Sequence, residues 1–232
     1  MKRILTLSLT GLMVALLVPI VAGCGLDETA ERSVSLPAAG ATGVRIDTEG
    51  GSLKVTGRSG ITEVSVTGTA YARNQGDLED LQIVTRTDGA EIIIEVDTSW
   101  DTKLDVTVEI PDSFQVEIDD SSGTIEVSNV AGLRLRDGSG SIEVSGVSGD
   151  VVVDEDGSGD ITIENVDSSV DIVDDGSGSI TVSDVTGSLR VGNDGSGDIT
   201  ARDIGGDFTV EDGGSGDITH SNVDGTVDIP SD

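Results

Sequence analysis

Aromatic side chains are almost missing from this chain: 232 residues contain one Trp, one Tyr and two Phe. A core built on large aromatic clusters is excluded, so small β-branched and aliphatic residues must fill the interior. The only cysteine is Cys24, and no intramolecular disulfide can form even in an oxidising compartment. Lysine is nearly absent too, with Lys2, Lys54 and Lys103 alone, and 13 basic residues face 44 acidic ones for a net charge of −31. Such a charge excludes nucleic acid and acidic lipid headgroups as partners. Against these shortages stand 32 glycines, the first sign of a chain that turns often.

The first 23 residues lie outside any fold the rest can make. Lys2 and Arg3 precede an apolar run that starts at Ile4 and ends in small residues, the layout of a secretory signal. Its end, "VAGC", resembles the lipobox of prokaryotic lipoproteins, in which cleavage leaves the cysteine as a lipidated first residue. The resemblance implies residues 1–23 as signal peptide and Cys24 as the lipidation site; the alternative is an unmodified thiol behind an ordinary signal or membrane anchor. Residues 24–40 have little apolar content and read as a flexible tether.

From Asp119 onward the chain repeats. Asp137, Asp156, Asp175 and Asp194 each open "DGSG", and Gly213 opens "GGSG" in the same register. One strand of each repeat carries apolar pairs such as Ile142/Val144, Ile161/Ile163 and Ile180/Val182. A second carries Val151/Val153, Val170/Ile172 and Leu189/Val191. Each alternation turns one side inward. A single coil cannot bury that side, but coils stacked about 4.8 Å apart pair every backbone group with the coils above and below. The expectation is an all-β fold, a parallel β-solenoid of coils of about 19 residues. Between the two strands a lone apolar residue recurs as Val130, Val147, Val166, Val185, Ile204 and Val223, predicting a short third side. The "DGSG" corner has no apolar member, and its glycines suit positive φ and close backbone approach.

Residues 119–232 form the regular solenoid on this reading and residues 41–118 an irregular N-terminal part of it. There "TEGGSLKVTG" at 48–57 parallels "DGSGSIEVSG" at 137–146. Longer strand-like segments follow, "ITEVSVTGTAYA", "LEDLQIVTRTDGAEIIIEV" and "KLDVTVEIPDSFQVEI". "TDGA" is a hairpin turn candidate, and the insertions are expected to cover one end of the stack. Their strand order stays open. The motif "SGSIEVSGVSGDVVV", preceded by "VTVEIPDSFQVEIDDSSGTIEVSNV", resembles the bacterial "putative adhesin" family of cell-surface single-stranded right-handed β-helices, related to the head domain of auto-transporter adhesins, over residues 41–229. The resemblance implies a surface lipoprotein and brings no catalytic residues.

No catalytic constellation is expected from the residues themselves. His220, the only histidine, falls on an inward position of the last coil and reads as an end-of-stack residue. Serines lie in turns, where their hydroxyls bond local backbone. Trp100, Tyr71, Phe114 and Phe208 form no aromatic column of the kind that stacks sugars. The outward threonines Thr162, Thr181, Thr200 and Thr219 are a single row rather than the flat double row of ice-binding solenoids. The acidic columns remain. Asp156, Asp175 and Asp194 should stack at one coil spacing, beside Glu155, Asp174 and Asn193. These aspartates read as a solvated, mutually repelling anionic surface, and as weak candidates for calcium; no other metal or cofactor is expected. The functional expectation is a lipid-anchored cell-surface module that adheres or binds, with the membrane as one partner through its lipid and an unidentified protein or glycan as the other. The alternatives are a divalent-cation-dependent binder or envelope scaffold, and a polysaccharide-active β-helix enzyme.

Overall fold

The structure, a computed structural model, describes residues 28–98 and 101–230. The signal peptide, Cys24 and Trp100 lie outside the described residues. The irregular half contains β1 (Glu28–Pro37), β2 (Gly43–Thr48), β3 (Leu53–Arg58), β4 (Glu63–Ala72), α1 (Gln75–Asp80), β5 (Val84–Asp88), β6 (Glu91–Val96) and β7 (Thr102–Pro111). The regular half runs through β8 (Gln115–Asp120), β9 (Ile125–Ser128), β10 (Gly132–Asp137), β11 (Ile142–Val147), β12 (Val151–Asp156) and β13 (Ile161–Val166). It continues with β14 (Val170–Asp175), β15 (Ile180–Val185), β16 (Leu189–Asp194), β17 (Ile199–Ile204), β18 (Phe208–Asp212), β19 (Ile218–Val223) and β20 (Val227–Asp228).

Two ten-stranded sheets result. The first, sheet A, has the order β1-β4-β7-β3-β9-β11-β13-β15-β17-β19; the second, sheet B, has β20-β18-β16-β14-β12-β10-β8-β2-β6-β5. Alternation along each strand places like on like: Ile142, Ile161, Ile180 and Ile199 form one buried file, and Val151, Val170, Leu189 and Phe208 another. Each such side chain contributes about 1.5–3 kcal/mol when withdrawn from water. The expected third side is present as the file Val147, Val166, Val185, Ile204, buried at the end of each sheet A strand.

Corner chemistry is more specific than glycine content suggests. In "DGSG" the second glycine has positive φ, as at Gly140 (139°), Gly159 (142°) and Gly178 (145°). A Cβ on Gly159 would also lie 1.6 Å from the carbonyl oxygen of Gly140 in the coil before it. The opposite corner uses left-handed residues with side chains: Asn129, Asn165, Asp184, Asp203 and Asn222 all have φ between 53° and 57°. Asn and Asp tolerate that region better than other residues with a Cβ. Beyond the corner a polar ladder of period 19 ties coils together. Asp150 Oδ1 accepts from Ser169 N (3.2 Å), Ser169 Oγ from Ser188 N (3.2 Å), Ser188 Oγ from Asp207 N (3.0 Å) and Asp207 Oδ1 from Thr226 N (2.7 Å).

The N-terminal half departs from chain order. β2 lies between β6 and β8, and β3 lies between β7 and β9, all parallel. The first coil made, β2–β3, is therefore sandwiched between the β6–β7 coil and the β8–β9 coil. Antiparallel strands finish this end: β4 on β7, β1 on β4, and β5 on β6 through the expected turn at Asp88–Gly89. Two expectations are corrected here. Residues 28–37 are not tether: they form β1, whose every residue pairs with β4 and whose Arg32 is buried. Arg32 donates to Leu81 O (2.8 Å) and Leu78 O (2.6 Å), satisfying carbonyls at the end of α1, and burial lowers its pKa. The second correction is α1 itself, which takes Leu78–Asp80 out of the expected strand. Asn74 starts it by accepting from Asp77 N (3.0 Å), and Leu78 anchors it in the core.

Two experiments check this architecture. Gly159→Ala should cost on the order of 3 kcal/mol or more in urea unfolding, because its Cβ meets backbone of the adjacent coil. Gly60→Ala, with φ 77° and no atom within 4 Å, should cost only about 1–2 kcal/mol. Equal losses would contradict stacking at the corner. Deleting Asp156–Asp174 removes one period and should leave a shorter, cooperatively folded rod. Deleting ten residues from Asp156 should not fold, because it breaks inward alternation.

Candidate functional site

The inward face of the solenoid is not wholly apolar. Each strand from β8 to β16 in sheet B ends in an aspartate that points inside: Asp120, Asp137, Asp156, Asp175 and Asp194 have 4%, 2%, 1%, 0% and 0% of their surface exposed. They stand in register from coil to coil, with Thr48 beyond Asp120 at one end. Beyond Asp194 the next place is Gly213, since Asn193 pairs with Asp212. The expected stacking of Asp156, Asp175 and Asp194 is thus present, but the expected solvated surface is not. The correction has a geometric cause: in β8 and β10 plain alternation carries Asp120 and Asp137 inward after Ile118 and Leu135, whereas in β12, β14 and β16 two residues follow the second inward apolar one before the chain bends inward again at Asp156, Asp175 and Asp194. Sheet A puts Val147 or Val166 at that place, and sheet B puts aspartate.

Few partners offset this burial. Thr48 Oγ1 donates to Asp120 Oδ1 (2.7 Å), and Ser139 N donates to Asp137 Oδ1 (3.2 Å). The other oxygen of each, and both oxygens of Asp156, Asp175 and Asp194, have no hydrogen-bond partner among the described residues. Burial pushes the Asp120 and Asp156 carboxyls up to about 6 and Asp175 up to about 7. Neighbouring carboxylates of the file add to the rise, while the Thr48 hydroxyl and nearby turn amides pull back. Asp137 and Asp194 are raised for the same first reason. Among the described residues no three His, Cys, Asp or Glu side chains converge as a metal centre. The companion column Glu155, Asp174, Asn193 faces out, with Asn193 Nδ2 donating to Asp174 Oδ1 (2.7 Å).

The outer face of sheet A is a polar lattice. One outward column runs Lys54, Glu126, Glu143, Thr162, Thr181, Thr200, Thr219, and its neighbour runs Thr56, Ser128, Ser145, Glu164, Ser183, Arg202, Ser221. Across β3 to β13 these residues line a groove of about 460 Å³ that includes Glu126, Glu143, Glu164, Ser145 and Thr162. Lys54 and Glu126, an ion pair, also line a second hollow of about 270 Å³ with Thr67, Thr69 and Thr107. Hydroxyls and carboxylates at coil spacing give the face donors and acceptors in a straight row. The threonines and the second column from Ser128 onward follow the repeat; the places of Lys54 and Thr56, and the continuity with β4 and β7, depend on a strand order that sequence does not supply.

On sheet B's outer face arginines bridge acids of neighbouring coils. Arg190 joins Asp171 (2.7 Å) to Glu211 (2.9 Å), and Arg134 meets Asp154 (2.6 Å). Asp154 is the extra residue at a register shift between β10 and β12. His220 is exposed in the last coil, its ring tilted 57° to Phe208 with centroids 6.1 Å apart. Phe114 and Phe208 are buried, and Tyr71 lies under Lys103 Nζ at 5.0 Å, so these three make no column.

Comparison with curated proteins finds no similar sequence. Among solved structures, the chain is similar to a "putative cell adhesion protein" of Clostridium sporogenes, with 12% identity and a TM-score of 0.35, covering 87% of this chain and 99% of that one. It is also similar to a "putative adhesin" of Bacteroides fragilis, with 16% identity and a TM-score of 0.39 over 86% and 97% of the two chains. A "putative adhesin" of Parabacteroides merdae matches at 13% identity and a TM-score of 0.28, over 87% and 96%. A family model, Toastrack DUF4097, matches residues 44–229. That match begins inside β2 and ends just past β20, taking in every coil of the solenoid, and the chain therefore belongs to the Toastrack DUF4097 family.

Proposed function

We propose that this protein is a non-catalytic binding module, held by a lipid on Cys24 at the outer side of a cell membrane and presenting the outer face of sheet A to its ligand. The observation that carries this reading is the pair of in-register outward columns, whose hydroxyls and carboxylates line two adjoining hollows. An extended ligand laid along such a row meets the same groups at each coil. The net charge of −31 restricts that ligand to neutral or cationic polar chains, a glycan or a protein segment. Lipid at Cys24 would place the rod where such ligands are met.

Both halves of the proposal are open to test. Cys24→Ala should leave the protein unprocessed or released, as read by membrane fractionation and the mass of the N-terminal peptide. A processed Ala variant that stays in the membrane fraction would remove the anchor. For the binding face, Glu143→Arg, Thr162→Arg and Thr181→Arg together should lower adhesion of cells displaying the protein to immobilised neutral glycans and matrix proteins by about tenfold or more, a loss typical of a disrupted interface. Thr209→Arg on sheet B is the control. Unchanged adhesion by the sheet A variant, with its fold intact, would rule out that face.

A further inference from the structure

The inward aspartates remain without a role in ligand binding, and they are the most costly feature of the fold. Five carboxyls stand in consecutive coils of one sheet, and the buried residues of β9 to β17 in the other sheet are all isoleucine, valine or alanine. Among the described residues no basic group acts on them. The outside charges acting on the file are themselves acidic: Asp174 on Asp175, and Asp198 and Asp212 on Asp194. Ionised, each would be a buried anion beside others, the arrangement that folded proteins avoid.

We propose that the file is a proton-binding site: Asp137, Asp156, Asp175 and Asp194 are held in the folded solenoid as carboxylic acids that share hydrogen bonds along the stack. A protonated carboxyl supplies the one thing the file lacks, a donor, and the next coil, about 4.8 Å away, supplies unpartnered acceptor oxygens. A metal ion fits less well. Calcium takes six to eight oxygens, whereas the file offers it carboxyls only above and below, beside turn amides that donate rather than accept and the apolar side chains of the opposite sheet.

The sign of the consequence follows from where the protons are held. The folded acids titrate higher than free aspartate, so their stabilising protonated form is complete below the unfolded value and is lost as pH rises through the folded one, which is about 6 for Asp156 and about 7 for Asp175. In that window folding takes up protons. For each carboxyl still protonated in the folded state, the unfolding constant rises about tenfold per pH unit. The rod is firmest in acid and loosens toward alkaline pH, and the coils that carry Asp156 and Asp175 also carry Thr162 and Thr181 of the outer face.

The test uses the mature full-length protein. Infrared spectra at pH 6 should show the C=O stretch of protonated carboxylic acids in the folded state, absent after unfolding and diminished by pH 8. The urea midpoint should fall between pH 5 and pH 8, less steeply in Asp175→Asn, and least in the triple variant Asp156→Asn, Asp175→Asn, Asp194→Asn, because asparagine keeps the stack but cannot titrate. The single variant and the wild-type spectra decide the matter if the triple variant fails to fold. Fully ionised carboxylates at pH 6, or the same pH slope in wild type and Asp175→Asn, would overturn the proposal. So would saturable stabilisation of the wild type by micromolar calcium at pH 7 that Asp175→Asn abolishes, which would make the file a metal site.

Discussion

Everything in this molecule depends on one spacing, the distance of about 4.8 Å at which parallel strands pair. Because the coils stack in register, each residue is covered by its own counterpart one period away, and each position must satisfy a copy of itself. Isoleucine on isoleucine satisfies this readily. Glycine at the "DGSG" corner is required because the nearest neighbour is the carbonyl of an equivalent glycine, 1.6 Å from where a Cβ would stand at Gly178 as at Gly159. The polar ladder from Asp150 to Thr226 is the same rule applied to hydrogen bonds: each side chain accepts the N–H of its counterpart's position.

A repeat that copies itself is legible in the letters, and a coil inserted out of order is not. The period of 19, the two alternating strands and the third buried side all recur along the chain, so the inward apolar files can be named from the amino-acid sequence alone. The order β6–β7, β2–β3, β8–β9 cannot, since nothing near Leu53 indicates that it will pair with Val106 on one side and Ile125 on the other. β1 is hidden for a related reason. Its partner β4 lies beyond two intervening strands, and its buried residues include a charged one, Arg32, whose carbonyl acceptors belong to a helix that no periodicity announces. In the aspartate file the letters reveal the stacking but mislead about its direction. Alternation places Asp156 outward when counted straight on from Val153; two outward residues, Asp154 and Glu155, come between, and the count resumes inside.

Aspartate consequently does three jobs that composition merges into one negative number. Asp171 faces water and is paired with Arg190, an exposed contact worth about 0–1 kcal/mol. Asp150, Asp160, Asp198 and Asp207 accept backbone N–H bonds at the corners, so their charge meets a donor. Asp156, Asp175 and Asp194 have no cation beside them and no formed hydrogen bond among the described residues, only the pull of nearby turn amides. A net charge of −31 thus overstates the anionic surface, and the acids it counts differ in the pH at which they are charged at all.

The coil's two bends show why an acid stands inside one and not the other. After sheet A the chain turns through a left-handed Asn or Asp whose side chain stays outside, as when Asn222 Nδ2 donates to Asp203 Oδ1 (2.8 Å), and the inward place is free for valine. After sheet B it turns through Gly-Ser-Gly, which has no left-handed side chain to organise it, and only the inward residue has a side chain close to the first amides of the bend. Ser139 N reaches Asp137 Oδ1, and the amides of Ser158, Ser177 and Ser196 lower the carboxyls of Asp156, Asp175 and Asp194. Valine there would remove the buried acid and leave those amides without it. An aspartate that can be neutral serves the bend at lower cost than one that must be charged, which ties the corner geometry of the solenoid to the protons held in its interior.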